Sequence, residues 1–361
     1  MSTQDRESIQ LLFPDTLCNW PWPRHINPHF EICKDESAAW LETFNAFSPK
    51  AQKAFNRCDF NLLAALGYPL LDKDGCRVGC DLMNFFFLID EHFDKSDTTG
   101  ARIKADTVMH ALRTPNMVRP HGEWIGGAVA RQFWLNAIRV ATPTSQRRFI
   151  DEFHVYMDSM VQKAQDRTED HIRGIDEYFE VRRVTIGVKA AIVINEIRMN
   201  IPDEVLRNEH IETLISASTD MILIANDLYS YNVEQARGDD RHNLVAIVMR
   251  ALNLDLAATF KWISDHHDGL VEKFLAAFSR VPHYRDPELD YQVTEFIHAL
   301  GNWVIPLPVR GYDVWSFESE CYFGKRGKEI QITRTVELLP KVVAGPETVS
   351  PETEILFSGT S

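Results

Sequence analysis

Apolar residues recur at the α-helical period of 3.6 along most of the chain, whereas the alternating pattern of a β-strand is scarce. Ser48 followed by Pro49 has the form of a helix N-cap with proline in the first turn. The pattern predicts helices over about residues 48–66, 76–94, 122–141, 145–167, 172–199, 209–236, 242–253, 255–280, 288–303 and 314–322. It therefore predicts one all-α domain of about ten helices over residues 1–340. Residues 341–361 are rich in Pro, Ser, Thr and Gly and are expected to form a mobile tail.

Charge and composition exclude several classes of function. With 38 Lys and Arg against 52 Asp and Glu, the net charge of −14 disfavours binding to nucleic acid or to an anionic membrane. No apolar run approaches the ~20 residues that span a bilayer, and no secretion signal is visible, so a cytoplasmic location without stable membrane association is expected. The six cysteines contain no CxxC pair, which favours reduced thiols over disulfides or a zinc site.

Two stripes run along the helix predicted over 76–94. The first is apolar throughout, with the spacing i, i+4, i+7 and i+11, and consists of Val78, Leu82, Phe85 and Ile89. The second has the same spacing but ends in two carboxylates, Asp90 and Asp94. Two anions one turn apart repel each other, and a hard cation such as Mg²⁺, Mn²⁺ or Ca²⁺ removes that repulsion. An acidic pair alone is usually a solvated helix end, but the preceding run 85–87 of three phenylalanines favours a buried helix.

A second polar patch follows the apolar run of the helix predicted over 209–236. Asn226, Ser230 and Glu234 lie at i, i+4 and i+8, so their oxygens form one column and a second candidate site for a hard cation. The alternative is a polar column that faces solvent or a neighbouring helix. Both patches end apolar helices, and together they predict a hydrophobic pocket with metals at its rim. Such a pocket suits a molecule with an apolar body and an anionic head.

These motifs resemble those of the class I terpene synthases, in particular the fungal sesquiterpene synthases of the subgroup that includes Δ6-protoilludene synthases. Residues 90–94 (DEHFD) resemble the family's DExxD motif, and residues 226–234 (NDLYSYNVE) its NDxxSxxxE motif. Residues 177–187 (EYFEVRRVTIG) resemble the segment with the diphosphate-sensing arginine, where Arg182 fits best and Arg183 is expected outside the site. The resemblance covers roughly residues 10–335 and implies a single-domain helical bundle around an apolar cavity.

The resemblance also implies a reaction and a set of roles. The substrate would be farnesyl diphosphate, which a carbon–oxygen lyase ionises and cyclises to a C15 hydrocarbon such as Δ6-protoilludene. Three Mg²⁺ ions, or Mn²⁺ in their place, would be held by two groups of ligands: Asp90 and Asp94, and Asn226, Ser230 and Glu234. The diphosphate would be bound by Arg182 and Tyr322, and the carbocation stabilised by Phe87, Phe86 and Trp315. For each aromatic residue the alternative is ordinary core packing.

Two departures from the family pattern lie near the C-terminus. Cys321-Tyr322 stands where the family has an Arg-Tyr pair, and a thiol provides neither the fixed charge nor the donor fork of a guanidinium. Residues 305–309 (IPLPV) look like an insertion between GNWV and RGYDVWSFES. They leave open a catalytically impaired paralogue that binds prenyl diphosphates. A chain-elongating prenyl synthase is less consistent, because it would carry two DDxxD-type motifs. A homodimer is left open.

Overall fold

The computed structural model describes residues 10–169, 173–238, 240–305 and 335–338, and these residues form a helical bundle with one short pair of strands, which confirms the predicted all-α fold class. Their α-helices are α1 (Phe30–Glu42), α2 (Pro49–Arg57), α3 (Phe60–Gly67), α4 (Lys73–Phe93), α5 (Thr98–Arg113), α6 (Gly126–Ala137), α7 (Pro143–Glu169), α8 (Ile175–Thr185), α9 (Val188–Val193), α10 (Asp203–Leu206), α11 (Glu209–Arg237), α12 (Leu244–Leu252), α13 (Leu256–Phe278) and α14 (Pro287–Trp303). Short 3₁₀ turns follow at Ile194–Glu196 and Asp240–His242. Two three-residue strands, β1 (Gln10–Leu12) and β2 (Thr335–Glu337), pair antiparallel with Gln10 opposite Glu337.

Three long helices organise the bundle. Helix α4 packs against α1, α3 and α6; α7 packs against α5, α8 and α9; and α11 packs against α12, α13 and α14. The predicted apolar stripe of α4 is buried along its whole length, with Val78 4% exposed and Leu82, Phe85 and Ile89 inaccessible to solvent. Helix α4 is therefore an internal helix, and its last turn brings the acidic pair to the end of the core.

Two predicted helices are wrong in their extent. The helix predicted over 48–66 is broken into α2 and α3, because Asp59 adopts a left-handed backbone with φ of 48°. Its predicted start is confirmed, since the Ser48 hydroxyl accepts a hydrogen bond from the Ala51 N–H at 3.3 Å. The helix predicted over 172–199 is likewise broken between α8 and α9, where Gly187 has φ of 71°. A Cβ at Gly187 would lie 3.1 Å from Phe86 and 3.2 Å from Tyr156.

The described residues also contain more helices than predicted, because two predicted helices are broken and because α1, α5 and α10 lie outside every predicted range. The helix predicted over 314–322 and the tail from 341 lie outside the described residues. Among the described helices, none combines the length and apolar character needed to cross a bilayer. The five cysteines in the described ranges are free thiols, and three of them (Cys33, Cys76 and Cys80) are buried.

Candidate active site

The acidic motif lies at the C-terminal end of α4, where the helix leaves the core. The N-terminal end is capped by Asp72, whose carboxylate accepts a hydrogen bond from the Gly75 N–H at 2.9 Å. At the other end the side chains of Asp90 and Asp94 are 45% and 47% exposed. Both carboxylates face α7, because the Lys163 ammonium lies 3.0 Å from Asp94 Oδ1 and 3.7 Å from Asp90 Oδ1.

The Asp90 carboxyl has a perturbed affinity for its proton. The surrounding protein removes water from around the Asp90 carboxyl, and this desolvation, with repulsion from Asp94, raises the pKa of Asp90 above its ordinary value. Lys163 and Arg182 lower this pKa. The positive charges of Lys163 and Arg182 therefore favour the ionised form of Asp90.

The polar column of α11 is more deeply placed. Ser230 is 1% exposed, and Asn226 and Glu234 are partly buried. Burial, followed by the nearby Asp227 charge, raises the pKa of Glu234 to about 7. The column is therefore largely shielded from bulk solvent, and it contacts the start of the neighbouring helix α12.

Asn243, at the start of α12, ties the column together. Its amide nitrogen donates to Ser230 Oγ at 3.2 Å, to Glu234 Oε2 at 2.9 Å and to the Asp227 carbonyl at 2.8 Å. Its side-chain oxygen caps α12 by accepting from the Val245 N–H at 2.9 Å. The Ser230 and Glu234 oxygens are therefore held in place by a residue that also fixes the next helix.

Arg182 on α8 reaches across to the first two residues of the same motif. Its guanidinium donates to Asn226 Oδ1 at 2.6 Å and to Asp227 Oδ1 at 2.9 and 3.1 Å. Burial works against the charge, but Asp227, Tyr178 and Glu234 together outweigh it, so the pKa of Arg182 is raised and the group stays cationic. The second oxygen of Asp227 accepts from the Tyr178 hydroxyl and from the Leu244 N–H at 2.7 Å.

The neighbouring Arg183 points to a different partner, as the sequence indicated. It makes a two-pronged ion pair with Asp220, with nitrogen–oxygen distances of 2.6 and 2.8 Å. Asp220 lies on α11 about two turns before Asp227, so adjacent arginines of α8 pair with carboxylates two turns apart on α11.

Arg182 connects the two motifs electrostatically. Its positive charge lowers the pKa of the Asp90 carboxyl on α4 and also that of the Glu234 carboxyl on α11. Burial raises the pKa of the Tyr156 hydroxyl on α7; the charges of Asp90 and Asp94 add to this rise, and the charge of Arg182 opposes it. The acidic pair, the arginine and the polar column thus belong to one cluster of charges.

Two aromatic side chains lie on α4 in the turn that precedes Asp90. Phe86 stacks on Phe153 with ring centroids 5.5 Å apart and meets Tyr156 edge-on at 5.0 Å. Phe87 stacks on Phe60 at 3.6 Å and is only partly buried. The helix break at Gly187 lies against Phe86 and Tyr156, which places these rings beside the segment that carries Arg182.

Several residues and segments singled out from the sequence lie outside the described residues. They are Trp315, Cys321, Tyr322 and, apart from the buried Ile305, the segment 305–309. Their expected roles stay predictions.

Four residues of the cluster were missed by sequence reasoning: Lys163, Tyr178, Asp227 and Asn243. Asp227 lies within the motif at residues 226–234, but its spacing does not predict a role as a ligand. A carboxylate in an apolar run nevertheless indicates a buried ion pair. Lys163 and Asn243 carry no local pattern that distinguishes them from surface residues.

The donor chemistry of the cluster suits a hard divalent cation, since carboxylate, amide and hydroxyl oxygens are the ligands that Mg²⁺ prefers. Within the described ranges, no three acidic, histidine or cysteine side chains converge as a complete metal cage. An ion here would complete its coordination with water and substrate oxygens, as Mg²⁺ commonly does.

The fold agrees with that of known proteins. Hedycaryol synthase, solved in complex with HEPES, shares the fold with a TM-score of 0.72 at 18% identity, over 83% of this chain and 98% of its own. Linalool/nerolidol synthase from Streptomyces clavuligerus, solved with 2-fluorogeranyl diphosphate, has a TM-score of 0.70 at 16% identity, over 82% and 98%. The architecture is therefore the class I terpenoid cyclase fold.

Sequence comparison gives the family. The model of terpene synthase family 2, C-terminal metal binding, matches residues 81–273. A Δ6-protoilludene synthase from Stereum hirsutum is 52% identical over 92% of this chain and 88% of its own length. One from Armillaria gallica is 48% identical over 95% and 98%. The chain belongs to the terpene synthase family, whose metal-binding domain contains both motifs described above.

Proposed function

We propose that this terpene synthase is a Mg²⁺-dependent sesquiterpene cyclase that acts on farnesyl diphosphate. The observation that carries the proposal concerns the Arg182 guanidinium. It donates hydrogen bonds to Asn226 and Asp227, and its charge opposes the rise in the pKa of the Asp90 carboxyl. A cationic donor between two sets of oxygen ligands suits a diphosphate bound through divalent ions. The matching relatives named as Δ6-protoilludene and sesquiterpene synthases support the C15 substrate.

The proposed metal ligands form two sets, Asp90 with Asp94 on α4, and Asn226, Ser230 and Glu234 on α11. When bound, Mg²⁺ neutralises the diphosphate and favours its departure as a leaving group. Glu234 must be ionised to act as a ligand, so its pKa of about 7 makes metal binding stronger toward neutral and higher pH.

The protein's own residues orient the substrate and protect the cation. Arg182 would donate paired hydrogen bonds to the diphosphate oxygens, joined by Tyr322. After the allylic carbon–oxygen bond breaks, the faces of Phe86, Phe87 and Trp315 would stabilise passing positive charge by about 0.5–2 kcal/mol each. Apolar walls keep water from quenching the cation, and loss of a proton gives the neutral hydrocarbon. For the product we propose a humulyl-derived tricycle such as Δ6-protoilludene.

The experiment is incubation of the full chain with farnesyl diphosphate and Mg²⁺, followed by gas chromatography of the headspace. Cyclic C15 hydrocarbons that disappear with EDTA are expected. Asp90→Asn should reduce kcat/KM by at least about 100-fold, since it removes a charged ligand. Asp74→Asn is the matched control, because Asp74 lies on the same helix but is exposed at its opposite end. Equal activity of the two variants would contradict the assignment of Asp90.

A catalytically impaired paralogue is the second candidate, favoured by Cys321 in place of the family's arginine. It predicts binding of farnesyl diphosphate without turnover. Hydrogen bonds to charged groups contribute ~1.5–3 kcal/mol, so an impaired enzyme should gain about 10- to 100-fold in kcat/KM from Cys321→Arg. An unchanged or lower value would show that Cys321 does not impair the enzyme. Longer diphosphates formed with added isopentenyl diphosphate would instead indicate a chain-elongating synthase.

A further inference from the structure

Lys163 is the cation closest to the acidic motif. It projects from α7, with its ammonium 3.0 Å from Asp94 Oδ1 and 3.7 Å from Asp90 Oδ1, and its side chain is 34% exposed. Although burial opposes its charge, the two carboxylates raise the pKa of Lys163, so the group is an ammonium near neutral pH. The carboxylates therefore already share one positive charge from within the chain.

Arg167, one turn further along α7, has a different set of contacts. Its guanidinium donates to the Phe93 and Ser96 carbonyls at 3.2 and 3.0 Å and lies 3.6 Å from Asp94 Oδ1. Donors at the last carbonyls of a helix fix the position of its end. Lys104 from α5 acts in the same way, through the His92 carbonyl at 2.9 Å and Ser96 Oγ at 2.7 Å.

The distinction matters because the end of α4 is held independently of Lys163. With Arg167 and Lys104 on the backbone carbonyls, removal of the Lys163 charge leaves the helix end in place and the two carboxylates less neutralised. Two carboxylates one turn apart repel each other, and a divalent cation gains binding energy by removing that repulsion. A positive side chain already beside the carboxylates reduces this gain.

We propose that Lys163 is the internal counter-ion of the acidic motif, which positions Asp90 and Asp94 in the metal-free protein and competes with the first divalent cation for them. This inference rests on the proposed function, in which these two residues bind metal. Lys163 must move away from the carboxylates as the cation arrives. Because it competes with the cation, Lys163 keeps metal affinity low until the diphosphate brings its own negative charge.

The test measures Mn²⁺ binding to the full chain without substrate, from the signal of free Mn²⁺ in electron paramagnetic resonance. Lys163→Gln should bind Mn²⁺ about tenfold more tightly than the wild type, since a like charge a few ångströms away is removed. Lys163→Arg, which keeps the charge, should match the wild type. Lys261→Gln is the matched control, because Lys261 pairs with Asp265 at 2.7 Å on the remote helix α13.

The direction of the change separates this role from a merely structural one. If Lys163 only supported the fold, its loss would loosen the motif and weaken Mn²⁺ binding. Unchanged or weaker binding by Lys163→Gln, or tighter binding by Lys163→Arg, would overturn the inference. Asp90→Asn distinguishes the two proposals. If Asp90→Asn leaves the Mn²⁺ affinity unchanged, the proposed metal site itself fails. If Asp90→Asn weakens Mn²⁺ binding but Lys163→Gln leaves it unchanged, only the competing role of Lys163 is overturned.

Discussion

Asp227→Asn tests the central ion pair of the cluster. The carboxylate accepts from Arg182 through one oxygen and from the Tyr178 hydroxyl and the Leu244 N–H through the other. The amide that replaces it keeps the shape but loses the charge. Whichever way the amide turns, its NH₂ group meets either the Arg182 guanidinium or the Leu244 N–H, and both are donors.

The magnitude follows from the burial of the pair. Asp227 is 3% exposed in its side chain and Arg182 21%. Breaking a buried pair costs about 3–5 kcal/mol, because a charge is left without a partner. Arg182 retains Asn226 and some contact with water, so we expect a loss of about 2–3 kcal/mol in the free energy of unfolding.

The assay is urea unfolding followed by circular dichroism, with kcat/KM measured in parallel. Asp220→Asn is the matched control, since it removes the other α8–α11 ion pair, whose Arg183 is 37% exposed. We expect Asp220→Asn to cost about 1 kcal/mol and to leave kcat/KM within about threefold. The reasoning is refuted if Asp227→Asn unfolds at the same urea concentration and with the same slope as the wild type.

Three further predictions concern residues around the cluster. Because the pKa of Glu234 is raised, its contribution to the stability of the metal-free protein is present below pH ~4.5 and is lost as pH rises through about 7. Glu234→Gln should therefore flatten the curve of unfolding free energy against pH in this range. A curve of unchanged slope would contradict the prediction. Gly187→Ala should lower stability by about 1–2 kcal/mol, because it strains a positive φ and crowds Phe86 and Tyr156; an unchanged melting temperature would refute this. Asn243→Ala should cost about 2 kcal/mol through the lost cap of α12 and the lost bonds to the column, whereas Asn243→Ser, which can still cap, should recover about half; equal unfolding midpoints for the two would argue against the cap.

Long, strongly periodic helices could be predicted from the sequence. The stripe of Val78, Leu82, Phe85 and Ile89 is buried as expected, because its spacing reports which face of α4 meets the core. The column of Asn226, Ser230 and Glu234 also lies on one helix, α11, since helical spacing alone fixes that relation.

The break at Asp59 could not be predicted from local sequence, whereas glycine is a residue that commonly ends a helix, so Gly187 carried a local signal for the second break. Asp59 and Gly187 both adopt positive φ, yet neither is flanked by residues that forbid a helix. At Gly187 the break coincides with the close approach of Phe86, which lies far earlier in the chain.

The partners of the site residues were hidden because they lie far apart in the chain. Lys163 and Asp94 are 69 residues apart, and Arg182 and Asp227 are 45 apart. Periodicity describes neighbours on one helix, whereas these pairs form only when separate helices pack. The resemblance to a family identified Arg182 but not the carboxylate that holds it.

The shared influence of Arg182 on two distant carboxyls has a thermodynamic consequence. Whatever draws this guanidinium away from Asp227 alters the electrostatic environment of Asp90 and of Glu234 in the same movement. By linkage, a ligand that gains from the displaced arginine changes the affinity of both helices for cations, and cations on either helix change the affinity for that ligand by an equal factor. In the proposed metal site, loading of the α4 and α11 ligand sets would then be cooperative.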